Sequence, residues 1–568
     1  MKKYFPQGTH PCDGHNLTDY ALSYTTFYWD DTEKELGWRH DDKVNIAYSC
    51  IDRHVREKKG DRAAVVFDNG AGSEIYTYQD LERLTNKFAN MLKDMGIRKG
   101  ERVAFFMPAG PELYISLLGT VKMGAVAVPL HSKYMEDAVT GLLRDSEPSL
   151  VITTPLLRHR ISDVDVPSIR KVIAAGENGS ENDWHSLMAT AGDAPATEWM
   201  DRKDPMLLIY TSGSTGNPKG VIHVHEGALQ YYQTGRWVLD LKDGDVYWCT
   251  ADPGWITGIS YGIWAPFLNG VTSMVCGEPV NAGRCYRLLE KNRVSVWQTT
   301  PSFLRSLMAA DDSIPGKYKF GSLRKILSVG EPLNPIINRW SLKTFNLKVY
   351  DSWWMTETGA QMIANFSCLP VKPGSMGKPV PGVYAAVVDE QGKELPPLEM
   401  GQLAVKTGWP AMMRGIWKDE GRYSEYFRIP PWYLTGDLAY KDREGYYWFQ
   451  GRIDDVIKIN SERVGPFEIE SKLEEHRAVV EAGVIGKPDL MRGEIIKAFI
   501  VLDSRYTWSD ELSRDICNFI KTRLAPHLVP DEIEVCDSLP RTRSGKLMRK
   551  VLKSREMGLP PDSSVTTE

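Results

Sequence analysis

Short apolar runs of strand length, separated by segments of helical periodicity, limit most severely how this chain can fold. Thr77 can cap a helix with Asp80 three residues on; Leu81, Leu84, Phe88, Leu92 and Met95 follow at helical spacing, and Gly96 closes the segment. Residues 103–107 are a short apolar run of the kind a buried strand needs. Residues 111–123, opening on Pro111, make a second helix that Gly124 stops, and residues 125–129 another strand. Strand, helix, strand with short connections implies parallel pairing in a sheet covered on both faces. The expected fold class is therefore α/β.

Similar apolar runs recur at 206–210, 325–329 and 347–350, and each runs into a loop rich in Gly, Thr, Glu or Asp. Ligands of open α/β sheets sit beyond the carboxyl ends of the strands, so three such loops predict one composite site. The polar stretch Gly451-Arg452-Ile453-Asp454-Asp455 reads as a hinge. A smaller α+β unit follows it, with a strand at 498–502 and an amphipathic helix carrying Leu512, Ile516, Phe519, Ile520 and Leu524 before Pro526. A chain of 568 residues is long enough for at least two such domains.

Composition narrows the function. The net charge of −5 offers no global attraction for nucleic acid or an acidic membrane surface, so an anionic ligand must be held by local groups. The start, Met1-Lys2-Lys3-Tyr4-Phe5-Pro6, lacks the apolar run of a secretory signal, and no stretch is apolar enough to span a bilayer. The eight scattered cysteines contain no CxxC pair, which fits a reducing, cytoplasmic setting. His223 and His225 alternate on an expected strand, but no third ligand follows at a recognisable spacing, so a structural role is expected of both.

The sharpest chemical signal is Tyr210-Thr211-Ser212-Gly213-Ser214-Thr215-Gly216-Asn217-Pro218-Lys219-Gly220, directly after an apolar strand. Its glycines let backbone N–H groups turn toward a ligand, and the hydroxyls and Lys219 add donors for phosphate oxygens. No Gly-Lys-Ser/Thr closes it, so it is not a Walker A loop.

That loop resembles the phosphate-binding motif of the adenylate-forming enzymes, which include acyl-CoA synthetases, luciferases and peptide-synthetase adenylation domains. Further matches follow in the family's order: Val329-Gly330-Glu331-Pro332, Asp351-Ser352-Trp353-Trp354-Met355-Thr356-Glu357-Thr358-Gly359, Tyr433-Leu434-Thr435-Gly436-Asp437, Gly451-Arg452-Ile453-Asp454-Asp455 and Pro540-Arg541-Thr542-Arg543-Ser544-Gly545-Lys546. Within the family, the Trp353-Trp354 pair resembles the AMP-forming acetyl-CoA synthetase branch. The resemblance implies a large N-terminal adenylate-forming domain with parallel-rich sheets (1–450), a hinge (451–455) turning at Asp454, and a small mobile α+β C-terminal domain (456–568).

It also implies roles. Thr211, Ser212, Gly213, Ser214, Thr215, Gly216 and Lys219 would cradle ATP phosphates, and Thr356 would donate to the α-phosphate. Glu357 would ligate Mg²⁺, the metal bridging phosphate oxygens. Gly330, Glu331, Pro332 and Trp353 would wall the adenine, with Asp351, Ser352, Trp354 and Met355 beside the nucleotide. Asp437 would accept from both ribose hydroxyls with Arg452 assisting, and Arg463 would complete the set. Lys546 would reach into the site from the mobile domain during adenylation. The matching lysine is an acetylation target in the family, so a lysine acetyltransferase and deacetylase are implied partners; acetylation would remove the cation.

The segment Ala251-Asp252-Pro253-Gly254-Trp255-Ile256-Thr257-Gly258 resembles the family's acyl-pocket loop. Ile256, Thr257, Val329 and Trp354 would line that pocket. Branches that take longer acids carry a small residue at the position of Trp354, so acetate is the first expectation and propionate a poorer substrate. Two departures stand out. Ser461 replaces a usual glycine near the path of coenzyme A, and Met355 replaces a commoner Gln. The implied reaction is AMP-forming acyl-CoA synthesis from acetate, ATP and CoA, in either direction, by a monomer or small homo-oligomer. A propionyl- or medium-chain acyl-CoA synthetase, or an adenylation enzyme loading a separate carrier protein, is the alternative.

Overall fold

A computed structural model of the protein describes residues 14–39, 43–161, 166–176, 182–211, 218–277, 280–311, 313–459, 462–489, 492–542 and 546–558. The sequence-expected helices form where their periodicity places them. Tyr78–Asp94 opens on a reciprocal capping box: the Thr77 hydroxyl accepts the Asp80 N–H at 3.1 Å, and the Asp80 carboxylate accepts the Thr77 N–H at 3.0 Å. Pro111–Lys122 buries every residue except Glu112, as a helix clasped on all sides must. Even Lys122 is inside, its ammonium held by Asp52 at 2.9 Å, Thr85 at 2.8 Å and Asn86 at 3.0 Å, as a buried charge requires.

Two twisted sheets share one core, with Val65 and Leu327 of one packed in the same cluster as Val103, Phe105 and helix residues Leu117 and Leu118. Among the described residues the first sheet has nine strands. Its centre, in spatial order, is Val349–Trp353, Lys325–Ser328, Val296–Thr299, Val246–Cys249, Thr272–Cys276 and Ala63–Asp68, all parallel. The second has seven, with Pro205–Thr211, Val126–Leu130, Arg102–Phe106, Leu150–Thr153 and Lys171–Ala174 parallel and Lys219–Val224 added antiparallel. A third, antiparallel sheet comprises Ala385–Val388, Met400–Lys406, Trp432–Lys441 and Tyr447–Arg452.

After a 3₁₀ turn at Ile453–Asp455 the chain builds a smaller unit around a mixed sheet. The long strands Val479–Asp489 and Gly493–Leu502 pair antiparallel, and Glu532–Val535 joins parallel to the second. Helix Asp510–Arg523, N-capped by Ser509, packs Ile516 and Ile520 into that unit's own core; Leu524 falls one residue past its end, as the C-cap. The architecture is thus a large α/β body with a parallel-rich core and a small mixed-sheet C-terminal domain. Among the described residues no helix is long and apolar enough to cross a membrane.

His223 ends up on strand Lys219–Val224, but His225 begins a 3₁₀ turn, so the two do not continue one strand face. The His225 Nδ1 accepts the Ile46 N–H at 3.2 Å. Burial lowers the pKa of His223 to about 4 and of His225 to about 3, so both are neutral rings of the interior.

Candidate active site

Several of the strands end toward one cleft of about 1950 Å³ between the large body and the C-terminal unit. Val246–Cys249 delivers Ile256 and Thr257, Lys325–Ser328 delivers Val329, Gly330, Glu331 and Pro332, and Val349–Trp353 delivers Asp351 through Glu357. Thr211 and Lys219 face each other as register partners at the end of an antiparallel pair. Ser212, Gly213, Ser214, Thr215 and Gly216, which connect them, lie outside the described residues, as do Ser461 and the side chain of Arg463. Asp437, Arg452, Asp454 and Lys546 line the same cleft from the far side.

Its charged centre is a cluster of three side chains. Lys219 is ion-paired with Glu357 and hydrogen-bonded to the Tyr426 hydroxyl, and that hydroxyl also donates to Glu357 at 3.1 Å. The Lys219 ammonium lies 4.7 Å from the Tyr426 ring centroid, and the ring stacks on Tyr433 at 5.3 Å. Burial alone would raise the Glu357 carboxyl; Lys219 outweighs it and holds the group below its ordinary value. Tyr433 in turn points its hydroxyl at the Met355 sulfur, 3.6 Å away, so the sulfur of Met355 has a polar neighbour.

A second group surrounds Asp437. Its carboxylate accepts the Trp353 indole N–H at 2.8 Å and pairs with Arg452 at 2.8 Å. Lys546 is exposed to the cleft close to both. Desolvation, then the like charge of Arg452, lowers its pKa below that of an ordinary lysine. Lys546 sits on a tight hairpin in which Thr542 N–H donates to the Lys546 carbonyl at 2.8 Å and Lys546 N–H to the Thr542 hydroxyl at 3.0 Å. Asp351 is buried, and its Oδ1 has no partner among the described residues. Burial raises its carboxyl well above its ordinary value, because desolvation penalises the charged form.

At the other end of the cleft Ile256, Val329 and Trp354 are buried together with half-buried Thr257. Close backbone approach builds this end: a Cβ on Gly258 would lie 2.3 Å from the Asp252 carbonyl oxygen, and one on Gly254 2.3 Å from the His131 Cα.

The carboxylate of Glu331 is turned to a different task from the adenine wall. It accepts from Ser302, pairs with Arg305 at 2.6 Å, and meets Arg541 of the C-terminal unit at 3.5 Å. Asn334 adds a second bridge, donating to Glu474 of that unit at 2.7 Å. Sequence reasoning did not find Tyr426, Arg305 or Glu474. Each acts on a residue far along the chain, and none belongs to a motif with fixed spacing. Among the described residues there is no group of three His, Cys, Asp or Glu side chains able to hold a metal by themselves.

Comparison with known proteins agrees with this geometry. A family model described as AMP-binding enzyme matches residues 51–417, and one described as AMP-binding enzyme C-terminal domain matches residues 468–546. The chain is 50% identical to an acetyl-coenzyme A synthetase of Bacillus subtilis over 98% of each protein. It is 37% identical to one of Methanothrix thermoacetophila, over 92% of this chain and 84% of that protein. Among solved structures, an acyl-CoA synthetase of Brucella canis superposes with a TM-score of 0.75 at 31% identity, covering 95% of this chain and 99% of that one. An anthranilate CoA ligase in complex with anthranoyl-AMP gives 0.84 at 26%, covering 93% and 99%.

Proposed function

The chain belongs to the AMP-binding enzyme family, the adenylate-forming ligases, close to the bacterial acetyl-CoA synthetases, and from that premise we propose how its cleft works. It is an AMP-forming acid–CoA ligase of short-chain type. A carboxylate carbonyl is too electron-rich for a thiol to attack. Its oxygen therefore attacks the α-phosphorus of ATP, the bond to the bridging oxygen breaks, and pyrophosphate leaves. The sulfur of CoA then attacks the acyl-adenylate carbonyl, the C–O bond breaks, and AMP leaves with the electron pair. We take acetate as the acid and propionate as a poorer substrate.

The first step brings two anions together, so its catalysis is positioning and charge neutralisation. Lys546 neutralises charge between carboxylate and α-phosphate, and Thr356 donates to the α-phosphate. Lys219 exchanges Glu357 for phosphate oxygens. Asp437 holds the ribose hydroxyls, steadied by Arg452 and by the Trp353 indole. Asp351 lines the cleft beside the base. The buried anionic Glu357 fits Mg²⁺, which takes one or two carboxylates and completes its shell with water and substrate phosphates. That ion would supply charge neutralisation on the phosphates. For the second step the C-terminal domain (456–568) turns about Asp454 within the hinge 451–455 and carries Lys546 out of the body (1–450). Acetylation of Lys546 would block adenylation, which mass spectrometry paired with activity of the modified protein would test.

The observation that most supports this reading is the convergence of Lys546, the Lys219–Glu357 pair and the Asp437–Arg452 pair on one cleft. Exchange of labelled pyrophosphate into ATP, run over a series of acids and then with CoA, is the test. Exchange strongest with acetate and acetyl-CoA formation on adding CoA are expected. No exchange with any short acid would refute the reading.

A further inference from the structure

The two adjacent tryptophans are held in different ways. The Trp353 indole N–H is tied to Asp437 at 2.8 Å. The Trp354 N–H is buried with no partner among the described residues. Nothing polar fixes the Trp354 ring, so its orientation depends on what it packs against, and the ring against it is Tyr261. The centroids are 5.1 Å apart at 75°, an edge-to-face pair.

Tyr261 is itself locked. It is wholly buried, in a π-helical turn, Ser260–Trp264, that interrupts the helix after the acyl loop. Such turns re-aim side chains at functional sites. Its hydroxyl oxygen accepts the Gln361 backbone N–H at 2.7 Å and lies 2.9 Å from the Thr234 hydroxyl. The single Thr234 hydroxyl proton goes to the Gln230 carbonyl at 2.6 Å, so the Tyr261 proton must go to Thr234. Both hydrogen-bonding roles of the phenol are thereby used. The preceding residue, Ser260, donates to the Gly359 carbonyl at 2.8 Å, which ties the π turn to the end of the Thr356–Gly359 loop.

We propose that Tyr261 is a specificity-determining positioning residue: its locked ring is the backstop that keeps the Trp354 indole across the acyl slot, and acid chain length is set by the pair. This rests on the assignment of Trp354 to the acyl slot. Removing the ring leaves a void into which the indole can turn, lengthening the slot without touching any group that contacts the phosphates. One methylene in such a pocket is worth ~10- to 200-fold in discrimination, so a displaced backstop should read out as a change of ratio.

The test measures kcat/KM for acetate, propionate and butyrate in wild type, Tyr261→Leu, Tyr261→Phe and Trp354→Gly. Tyr261→Leu is expected to raise the butyrate-to-acetate ratio about tenfold or more. Tyr261→Phe keeps the ring, loses its lock and is expected to shift the ratio by about two- to fivefold. A merely structural role would lower all three acids together. Wild-type ratios in both Tyr261 variants, with Trp354→Gly opened to butyrate, would overturn the inference and spare the acyl-slot assignment. Wild-type ratios in all three variants would remove both. Where Tyr261→Leu yields no folded protein, Tyr261→Phe decides by the same ratio.

Discussion

Arg541→Ala should slow adenylation while sparing thioester formation. Arg541 begins the hairpin that presents Lys546, with Arg541 and Leu547 as bridge partners, and it is 3.5 Å from Glu331 in the large domain. Coulomb's law at an effective dielectric of about 20 gives a gross attraction of ~5 kcal/mol at that separation. The guanidinium is also 3.2 Å from Glu481 of its own domain, and its side chain is 22% exposed. Solvent screening and this competing partner reduce the net contribution of the bridge to about 1–2 kcal/mol. Glu331 keeps Arg305 at 2.6 Å, so the substitution strands no buried carboxylate. The loss therefore falls mainly on the orientation that holds Lys546 in the cleft. A bias of about 1.4 kcal/mol is tenfold in population, so pyrophosphate exchange should fall about five- to thirtyfold. Conversion of supplied acetyl-adenylate and CoA to acetyl-CoA, measured in the same preparation, should hold steady or rise. Equal loss in both half-reactions, or undiminished exchange, would refute the reasoning.

Lys546→Ala removes the cation itself, and at about 4 Å from a developing charge that is worth ~4 kcal/mol at the same dielectric, so exchange should fall about a thousandfold with adenylate use spared. Tyr426→Phe deletes one donor to Glu357 and should cost adenylation about three- to tenfold, with a higher Mg²⁺ requirement in a titration of rate against metal. Burial pushes Glu474 up to about 7 from 4.5. The folded state therefore binds this proton more tightly than the unfolded chain, and stability falls as pH rises from 4.5 to about 7, then levels. Glu474→Gln should flatten that descent in Tm measured across the range, and a slope equal to wild type would exclude Glu474 as its source.

Much of this molecule is legible in the residues, because local rules and the tertiary structure agree. The Thr77–Asp80 capping box, the almost wholly buried helix that opens on Pro111 and the loops following three buried strands are each set by near neighbours in the chain. The site is less legible because its partners are distant. Nothing around Glu357 announces Tyr426, 69 positions away, and nothing in Gly330-Glu331-Pro332 shows that its carboxylate serves Arg305 and Arg541. His225 left its expected strand because the chain turns into a 3₁₀ segment there, and a period of two carries no record of where a strand stops.

Successive residues on extended backbone face opposite ways, and Trp353 and Trp354, at the end of strand Val349–Trp353, reach opposite neighbours, Asp437 and Tyr261. Under the proposed function, one stretch of main chain would steady the carboxylate that holds the sugar with one indole and close the acyl slot with the next. Point changes at either position can drift separately. Inserting or deleting a single residue just upstream would swap the two assignments at once, so this strand should tolerate relettering far better than any change of length.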